Sequence, residues 1–201
     1  ISENRVERLA RKWRLPDGVP VIMLPGRVTR WKGQEVFIEA IKKAGLNNLK
    51  CLIVGSDQGR HRYKASLEKL IEQAELSDVI HLIDHCDDMP AAYMLADIVV
   101  SASIEPEAFG RVVVEAQALG RLVVATDHGA TQETIENGST GWLITPNDPD
   151  AMAEMLKTLL SYTREERENI STMAIQHVNN NFSKEEMCEK TIKLYMSMVA
   201  N

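Results

Sequence analysis

Residues 98–126 read IVVSASIEPEAFGRVVVEAQALGRLVVAT. The stretch begins and ends with short, continuous apolar runs, at 98–101 and 122–125, which is the pattern of strands that are buried on both faces. Between the two runs lies a segment of helical length that follows Gly110. A strand, a helix and a second strand in this order predict a parallel crossover unit.

The same alternation of strand-like and helix-like segments extends on both sides of this unit, from about residue 20 to residue 160. It predicts an α/β fold: a Rossmann-like, doubly wound parallel sheet with extra C-terminal helices. We expect 1–18 to form a linker or short helix, 19–161 to form the Rossmann-like domain, and 162–201 to form helices packed on that domain. The six predicted strands are residues 19–24, 49–54, 79–83, 98–101, 122–125 and 141–144.

Helical periodicity and capping signals mark the elements between and after the strands. Asp148 before Pro149 is typical of a helix cap followed by its first turn. Thr163 and Ser183 each precede a glutamate by three residues, a capping-box pattern that begins a helix. Two segments that should cover the sheet have apolar residues at helical spacing: Val36, Phe37, Ala40, Ile41 and Ala44 in one, and Tyr63, Leu67, Leu70, Ile71 and Ala74 in the other.

The composition argues against several classes of protein. A chain of 201 residues with 44% hydrophobic residues is long enough for one sizeable core, and its net charge of -6 argues against nucleic acid as a partner. Cys51, Cys86 and Cys188 are odd in number and irregularly spaced, which fits neither a disulfide framework nor a zinc site. No apolar run is long enough for a bilayer. We therefore expect a protein located in the cytoplasm or at the inner face of the membrane. The start of the sequence at Ile1 suggests a fragment or a processed product.

A basic loop, PGRVTRWKG at residues 25–33, follows the first predicted strand. Gly26 allows a close backbone turn, Arg27 can donate two hydrogen bonds to a phosphate, and Lys32 adds a point charge. The pattern is neither of the two common glycine-rich phosphate-binding motifs. It predicts a phosphate site, with a solvated basic loop as the alternative.

The loop after the fourth predicted strand carries two carboxylates, Glu107 and Glu115. If a helix begins near Gly110, Glu107 lies at its mouth and Glu115 lies more than one turn inside it, so both could face one ligand. The backbone N–H groups of Ala108, Phe109 and Gly110 would then be free to bind a diphosphate or sugar oxygens. The alternative is that both glutamates are exposed charges at a helix end.

Together, these motifs resemble a known family. G-R-x-x-x-x-K-G after the first strand and E-A-F-G-x-x-x-x-E after the fourth are similar to the donor-binding C-terminal domain of glycosyltransferase family 4, retaining enzymes of the GT-B fold. The resemblance spans about residues 20–160, and residues 106–111 are similar to bacterial lipopolysaccharide-core transferases. One departure is His128, followed by Gly129, where many members have two consecutive glycines; the loop near the sugar should differ accordingly.

The resemblance implies a role for each matching residue. Arg27 and Lys32 would neutralise the departing diphosphate, and Glu115 would bind the ribose. Glu107, together with the amides of Ala108, Phe109 and Gly110, would orient the donor sugar and its phosphates. The remaining residues would border the nucleotide, chiefly through backbone groups: Gly26, Gly55 and Ser56, and residues 85–89, including Cys86 and Met89.

The implied reaction moves a hexose from a nucleoside diphosphate-sugar to a hydroxyl of a glycan or glycolipid, with retention. A GT-B active site lies between two domains, so this chain should bind the donor and depend on an absent N-terminal acceptor domain, which would also make any peripheral membrane contact. No cofactor and no metal are expected, because protein cations and helix dipoles would hold the diphosphate. Two alternatives stay open: a non-catalytic nucleotide-sugar-binding module, or another GT-B enzyme such as a sugar-nucleotide epimerase.

Three patterns could mislead. Asp148-x-Asp150 matches a metal-binding D-x-D motif, but its position favours a helix cap. The acidic residues around His85 could suggest a metal site, which the GT-B resemblance does not require. Glu107 and Glu115 could suggest a glycosidase pair, but a hydrolase would not need the basic loop.

Overall fold

The computed structural model describes residues 1–199 and contains the predicted six-stranded parallel sheet. The strand order is β3-β2-β1-β4-β5-β6, so the chain winds outward from β1 in one direction and then in the other. This is the doubly wound arrangement that the sequence predicts, and the predicted fold class is confirmed. The strands are β1 (Val21–Pro25), β2 (Lys50–Val54), β3 (Ile80–Ile83), β4 (Ile98–Ser101), β5 (Leu122–Thr126) and β6 (Trp142–Ile144).

Helices connect the strands and continue after the last one. A 3₁₀ turn, Arg30–Lys32, lies between β1 and the helix that follows it. The helices are α1 (Glu3–Lys12), α2 (Gln34–Ala44), α3 (His61–Gln73), α4 (Met89–Leu95), α5 (Arg111–Ala118), α6 (Thr131–Thr134), α7 (Pro149–Leu160), α8 (Arg164–Asn181) and α9 (Lys184–Val199).

The sheet is buried on both faces, which explains the continuous apolar runs of its strands. On one face, α2, α3 and α7 contribute buried side chains such as Phe37, Leu67 and Leu156. On the other face, α1, α4 and α5 contribute side chains such as Leu9, Tyr93 and Val113. The two helical faces predicted from the sequence both pack on the sheet, with their outermost residues only partly buried.

The predicted caps explain where the later helices begin. The Asp148 side chain accepts a hydrogen bond from the Ala151 N–H at 2.9 Å, with Pro149 in the first turn of α7. Asp150 pairs with Lys43 at 2.8 Å, so neither acid of the D-x-D pattern is free. Thr163 forms the full capping box of α8. At α9 the Ser183 hydroxyl accepts from the Glu186 N–H at 3.2 Å.

The two ends of the chain pack differently. The predicted linker region contains α1, whose Leu9 side chain is buried and whose Arg5 binds Asp88 at the start of α4. In the predicted 162–201 segment, α8 packs through Ile170 and Ala174. In contrast, α9 buries no residue, so close packing on the domain is limited to α8. The last two residues of that segment lie outside the described part of the chain.

Within residues 1–199, none of the helices combines the length and the apolar character that a membrane crossing requires. The cytoplasmic location therefore stays a prediction.

Candidate functional site

A pocket of about 410 Å³ opens at the carboxyl edge of the sheet. β1 pairs with β2 on one side and with β4 on the other. The loops that follow β2 and β4 therefore run in opposite directions, away from β1. This is a topological switch point, where ligands bind in open parallel sheets. The pocket is lined by Pro25, Gly26, Arg27, Val54, Gly55, Ser56, Gln58, His85, Cys86, Met89, Tyr93, Arg111, Val112 and Glu115.

The structure divides the predicted site residues into two groups. Those expected to border the nucleoside line the pocket, together with Arg27: Gly26, Gly55, Ser56, Cys86, Met89 and Glu115. The others do not line the pocket and surround the loop before α5: Lys32, Glu107, Ala108, Phe109 and Gly110. We call these two groups the nucleoside pocket and the sugar-side cluster.

The floor of the nucleoside pocket is a crossing of two loops. The Gly26 N–H donates to the Val54 carbonyl at 2.9 Å, and the Val28 N–H donates to the Ser56 carbonyl at 3.0 Å. A Cβ atom at Gly55 would lie only 1.9 Å from the Gly26 carbonyl oxygen. Because position 55 is a glycine, the loops that contain Gly26 and Gly55 can pack closely against each other. Their close packing leaves the pocket open over this floor.

Glu115 forms one wall of the nucleoside pocket, in the second turn of α5. Its Oε2 accepts from the Tyr93 hydroxyl at 2.9 Å, and its Oε1 accepts from the Arg111 guanidinium at 2.6 Å. Burial, followed by the charge of Glu115, raises the pKa of Tyr93, so its phenol stays protonated and keeps donating. Arg111 is 82% exposed and free to leave, whereas Tyr93 holds the carboxylate from inside the protein.

Arg27 is the cation that faces the nucleoside pocket. Its guanidinium carbon lies 5.7 Å from the centre of the Trp31 ring. Within the described residues 1–199, no carboxylate comes within the 4.0 Å of an ion pair with Arg27. Because its positive charge is not neutralised by a carboxylate, Arg27 can bind an anionic ligand without first breaking an ion pair.

In the sugar-side cluster, Lys32 is already paired. Its Nζ donates to Glu107 Oε1 at 2.6 Å, and these two side chains are only 11% and 14% exposed. The Ser103 hydroxyl donates to the same carboxylate oxygen. The sequence assigns Lys32 to the diphosphate and Glu107 to the sugar, whereas the structure joins the two as one ion pair.

The loop before α5 presents backbone amides. Gly110 caps the helix in a left-handed conformation, φ 70°, and α5 begins at Arg111, close to the predicted start. Within residues 1–199, the N–H groups of Ala108, Phe109 and Gly110 donate to no protein acceptor. The Phe109 side chain is 45% exposed and meets Phe182 edge to face, with ring centres 6.1 Å apart. Free amides at the positive end of a helix favour an anion or sugar oxygens.

The loop after β5 supports the sugar-side cluster from the other side. The Ala130 N–H donates to the Glu107 carbonyl at 3.1 Å. A Cβ atom at Gly129 would lie 2.8 Å from that same carbonyl oxygen. His128, which replaces a glycine of the family pattern, places its Nε2 2.7 Å from the Ser103 carbonyl oxygen. His128 thus contacts the residue whose hydroxyl donates to Glu107.

The acidic side chains after β3 are engaged with basic partners. Asp84 pairs with Lys64 at 2.6 Å, and Asp88 pairs with Arg5, which lowers the pKa of Asp88. In the described part of the chain, no group of three His, Cys, Asp or Glu side chains could hold a metal ion. Burial raises the pKa of Cys86, so this thiol contributes an apolar surface to the pocket.

Sequence reasoning missed Tyr93 and Arg111, the two side chains that bind Glu115. A signal for Tyr93 was present: Asp88 is followed two positions later by Pro90, similar to Asp148 before Pro149, and Asp88 does cap α4. With α4 begun there, Tyr93 falls in its second turn. Which side of the sheet α4 covers follows only from the tertiary fold.

Comparison with known proteins shows which family the chain resembles. The profile of the family Glycosyl transferases group 1 matches residues 5–177. A D-inositol 3-phosphate glycosyltransferase of Corynebacterium urealyticum is 32% identical to this chain, over 98% of the chain and 47% of the relative.

Two solved structures share the fold closely. A glycosyltransferase from Rickettsia africae ESF-5 superposes with a TM-score of 0.96 at 34% identity, over 100% of this chain and 53% of that one. Anabaena HepE in complex with UDP and glucose superposes with a TM-score of 0.89 at 25% identity, over 98% of this chain and 53% of that one. The chain thus spans about half the length of these relatives.

Proposed function

Because the chain belongs to the family of group 1 glycosyl transferases, we propose that it is the donor-binding half of a hexosyltransferase of family 4 with the GT-B fold. The donor is a nucleoside diphosphate-sugar, and the hexose moves to an acceptor hydroxyl with retention of configuration. The observation that carries this proposal is the nucleoside pocket itself, in which an unpaired cation, Arg27, and a carboxylate, Glu115, face one volume at the switch point of the sheet.

The nucleoside half of the donor occupies this pocket. The base lies between the Gly55 loop and the Cys86–Met89 side, where backbone groups and apolar side chains surround it. The two adjacent hydroxyls of the ribose donate to Glu115, replacing the exposed Arg111. Tyr93 holds the carboxylate in position during this exchange.

The diphosphate extends from the pocket toward the sugar-side cluster. As the bond between sugar and diphosphate breaks, negative charge grows on the departing phosphate oxygen. Arg27, the nearby Lys32 and the free amides of residues 108–110 stabilise that charge. These groups take the place of a metal ion, and no metal is required in this proposal.

The donor sugar contacts Glu107. Both hydrogen bonds that Glu107 accepts through its side chain, from Lys32 and Ser103, reach Oε1. Within residues 1–199 its second oxygen, Oε2, accepts none, so it can accept from a sugar hydroxyl. The ion pair then serves to position the donor, because Lys32 fixes the carboxylate that orients the sugar.

The base and the acceptor are less constrained by these residues. The complex of Anabaena HepE with UDP and glucose supports uridine diphosphate as the first donor nucleotide to test. The acceptor in our proposal is a hydroxyl of a glycan or glycolipid. The name of the Corynebacterium relative adds a small polyol phosphate to the acceptors worth testing and gives no support to a lipopolysaccharide-core acceptor.

Isothermal titration calorimetry with UDP, GDP and ADP tests the proposal. We expect one of the three to bind the wild-type chain, and Arg27→Ala and Glu115→Ala each to weaken that binding by about tenfold or more, the size of losing a hydrogen bond to a charged group. Arg164→Ala is the control, because Arg164 is 91% exposed and pairs with Glu168 on α8. Unchanged affinity in both pocket variants, or no binding of any nucleotide, would refute the assignment.

A further inference from the structure

A second and larger cavity is lined by residues 29–31 of the loop after β1, whose residues 25–27 line the nucleoside pocket. It is a groove of about 820 Å³ between the 3₁₀ turn Arg30–Lys32 and the start of α3. Its walls include Arg30, Trp31, Arg60, His61, Arg62 and Tyr63. We call it the basic groove; nothing in the proposed function uses it.

Trp31 is the wall between the basic groove and the diphosphate cations. It lines the groove but not the nucleoside pocket. The Lys32 ammonium lies 4.4 Å from the centre of the Trp31 ring, and the Arg27 guanidinium carbon lies 5.7 Å from it. A ligand in the groove would therefore lie one indole ring away from the place where the donor phosphates bind.

The groove is lined by several basic side chains, although the whole chain has a net charge of -6. Three arginines line it and no aspartate or glutamate does, within the described residues. Two carboxylates pair with the lining: Glu35 with Arg30 at 3.6 Å, between exposed side chains, and Asp57 with His61 at 2.7 Å. Arg62 has no carboxylate within 4.0 Å anywhere in residues 1–199. Such arginines bind phosphate or carboxylate groups in bidentate fashion at little internal cost.

The groove also offers aromatic surface. Trp31 provides it as one wall of the groove. Tyr63 is buried, and the Arg30 guanidinium carbon lies 5.2 Å from the centre of its ring, so Tyr63 supports Arg30 from behind. An aromatic face packs against the C–H face of a sugar or cyclitol ring, while the arginines take an anionic substituent. The combination fits a small ring compound with a phosphate group better than a bare anion.

We propose that the basic groove binds the phosphate group and ring of a phosphorylated acceptor, a sugar or polyol phosphate, next to the donor. This inference rests on the proposed function, because only a transferase has an acceptor, and it assigns part of the acceptor site to the donor-binding half. The groove and the nucleoside pocket are separate, so both ligands bind at the same time.

The test is a titration of the ¹⁵N-labelled chain with glucose 6-phosphate, glucose or inorganic phosphate, followed by NMR in the presence of saturating UDP. The chain has three tryptophans; Trp31 reports on the groove, while Trp13 and Trp142 are buried elsewhere and serve as internal references. We expect glucose 6-phosphate to shift the Trp31 indole and the Arg62 amide. Glucose or phosphate alone should bind at least tenfold more weakly.

The variant Arg30→Gln with Arg62→Gln should weaken binding of glucose 6-phosphate at least tenfold and leave UDP affinity unchanged. Arg27→Ala should weaken UDP and spare glucose 6-phosphate, and Arg164→Gln is the control for a lost surface charge. The inference is overturned if UDP displaces glucose 6-phosphate, if the double variant binds it as well as wild type, or if free phosphate binds equally well. Failure of UDP to bind would instead count against the proposed function, so the two outcomes are distinct.

Discussion

Two glutamates eight positions apart, Glu107 and Glu115, lie in contrasting surroundings. Glu115 is 36% exposed, on the wall of an open pocket, with one partner, Tyr93, inside the protein and one exposed partner, Arg111. Glu107 is 14% exposed and shares one oxygen between Lys32 and Ser103. The first carboxylate is poised to exchange a partner for a ligand, whereas the second is part of the structure around which the loop before α5 is built.

Because of this contrast, we expect substitutions in the nucleoside pocket and in the Lys32–Glu107 pair to have different effects. Residues of the nucleoside pocket should change ligand affinity more than they change stability. The Lys32–Glu107 pair should change stability strongly, because removal of one member leaves the other nearly buried and without a counter-charge. The variants below test this division, beginning with the largest expected effect.

Lys32→Ala should destabilise the protein by about 3 kcal/mol, the lower end of what breaking a buried ion pair costs. Ser103 would remain as the partner of Glu107, and a single neutral hydroxyl does not offset a buried carboxylate charge. Urea denaturation followed by circular dichroism measures the loss. The combined variant Lys32→Met and Glu107→Leu should recover much of it, because no unpaired charge is then left.

The matched control for this prediction is Lys43→Ala, which removes a more exposed ion pair with Asp150, at 2.8 Å against 2.6 Å for Lys32–Glu107. Its effect should be far smaller, because water replaces the lost partner. If the two lysine variants lost equal stability, burial of the Lys32–Glu107 pair would not determine how much the pair contributes to stability.

The same contrast explains what the sequence could and could not predict. Apolar runs, caps and the order of strands were enough for the sheet, since each depends on local pattern and on burial of both faces. The residues after each strand were enough to find the Gly26 loop and Glu115, because parallel strands bring their carboxyl ends to one edge. The pairing of Lys32 with Glu107 joins loops that are 75 residues apart. No periodicity encodes such a contact.

The last helix shows a second feature that the sequence does not determine, namely the surface on which a helix packs. Its capping signal at Ser183 predicts where α9 begins, and the structure agrees. The apolar residues of α9 suggest packing on the domain, yet Leu194, Met196 and Val199 are among its exposed side chains. A helical pattern shows that a helix has an apolar side and does not show which surface that side meets.

Gly55→Ala should destabilise the protein by about 2 to 3 kcal/mol, in the range of overpacked cores, because the new Cβ would lie 1.9 Å from the Gly26 carbonyl oxygen. It should also weaken UDP binding, since relief of the clash moves the loop that contains Arg27. Gly18→Ala is the matched control: a Cβ there meets no atom within 4 Å, and only its positive φ opposes the change. If UDP affinity survives Gly55→Ala unchanged, the loop crossing is not the floor of the ligand site.

Glu107→Gln tests whether the sugar-side cluster recognises the sugar rather than the nucleotide. The amide keeps the shape and loses the charge, so UDP should bind within about threefold of wild type. UDP-glucose should bind about tenfold more weakly, the size of a lost charge-assisted hydrogen bond. Calorimetry with both ligands on both proteins gives the comparison. Equal losses for UDP and UDP-glucose would place Glu107 with the nucleotide and remove the division between pocket and cluster.

Tyr93→Phe should have the smallest effect, about 1 kcal/mol of stability and a few-fold loss of UDP affinity, because Glu115 keeps Arg111 and gains access to water.

The pH dependence of this effect is more informative than its size. Burial and the charge of Glu115 raise the pKa of Tyr93 above its usual value near 10, so the folded protein retains a proton that the unfolded chain releases. Stability conferred by this group is complete below about pH 10 and declines as pH rises further. Wild type should therefore lose more stability between about pH 9 and pH 11 than Tyr93→Phe does, with Tyr195→Phe, at an exposed position on α9, as control. Parallel curves for wild type and Tyr93→Phe would mean that the phenol does not hold Glu115 as a buried donor, and Glu115 would then differ less from Glu107 than their surroundings indicate.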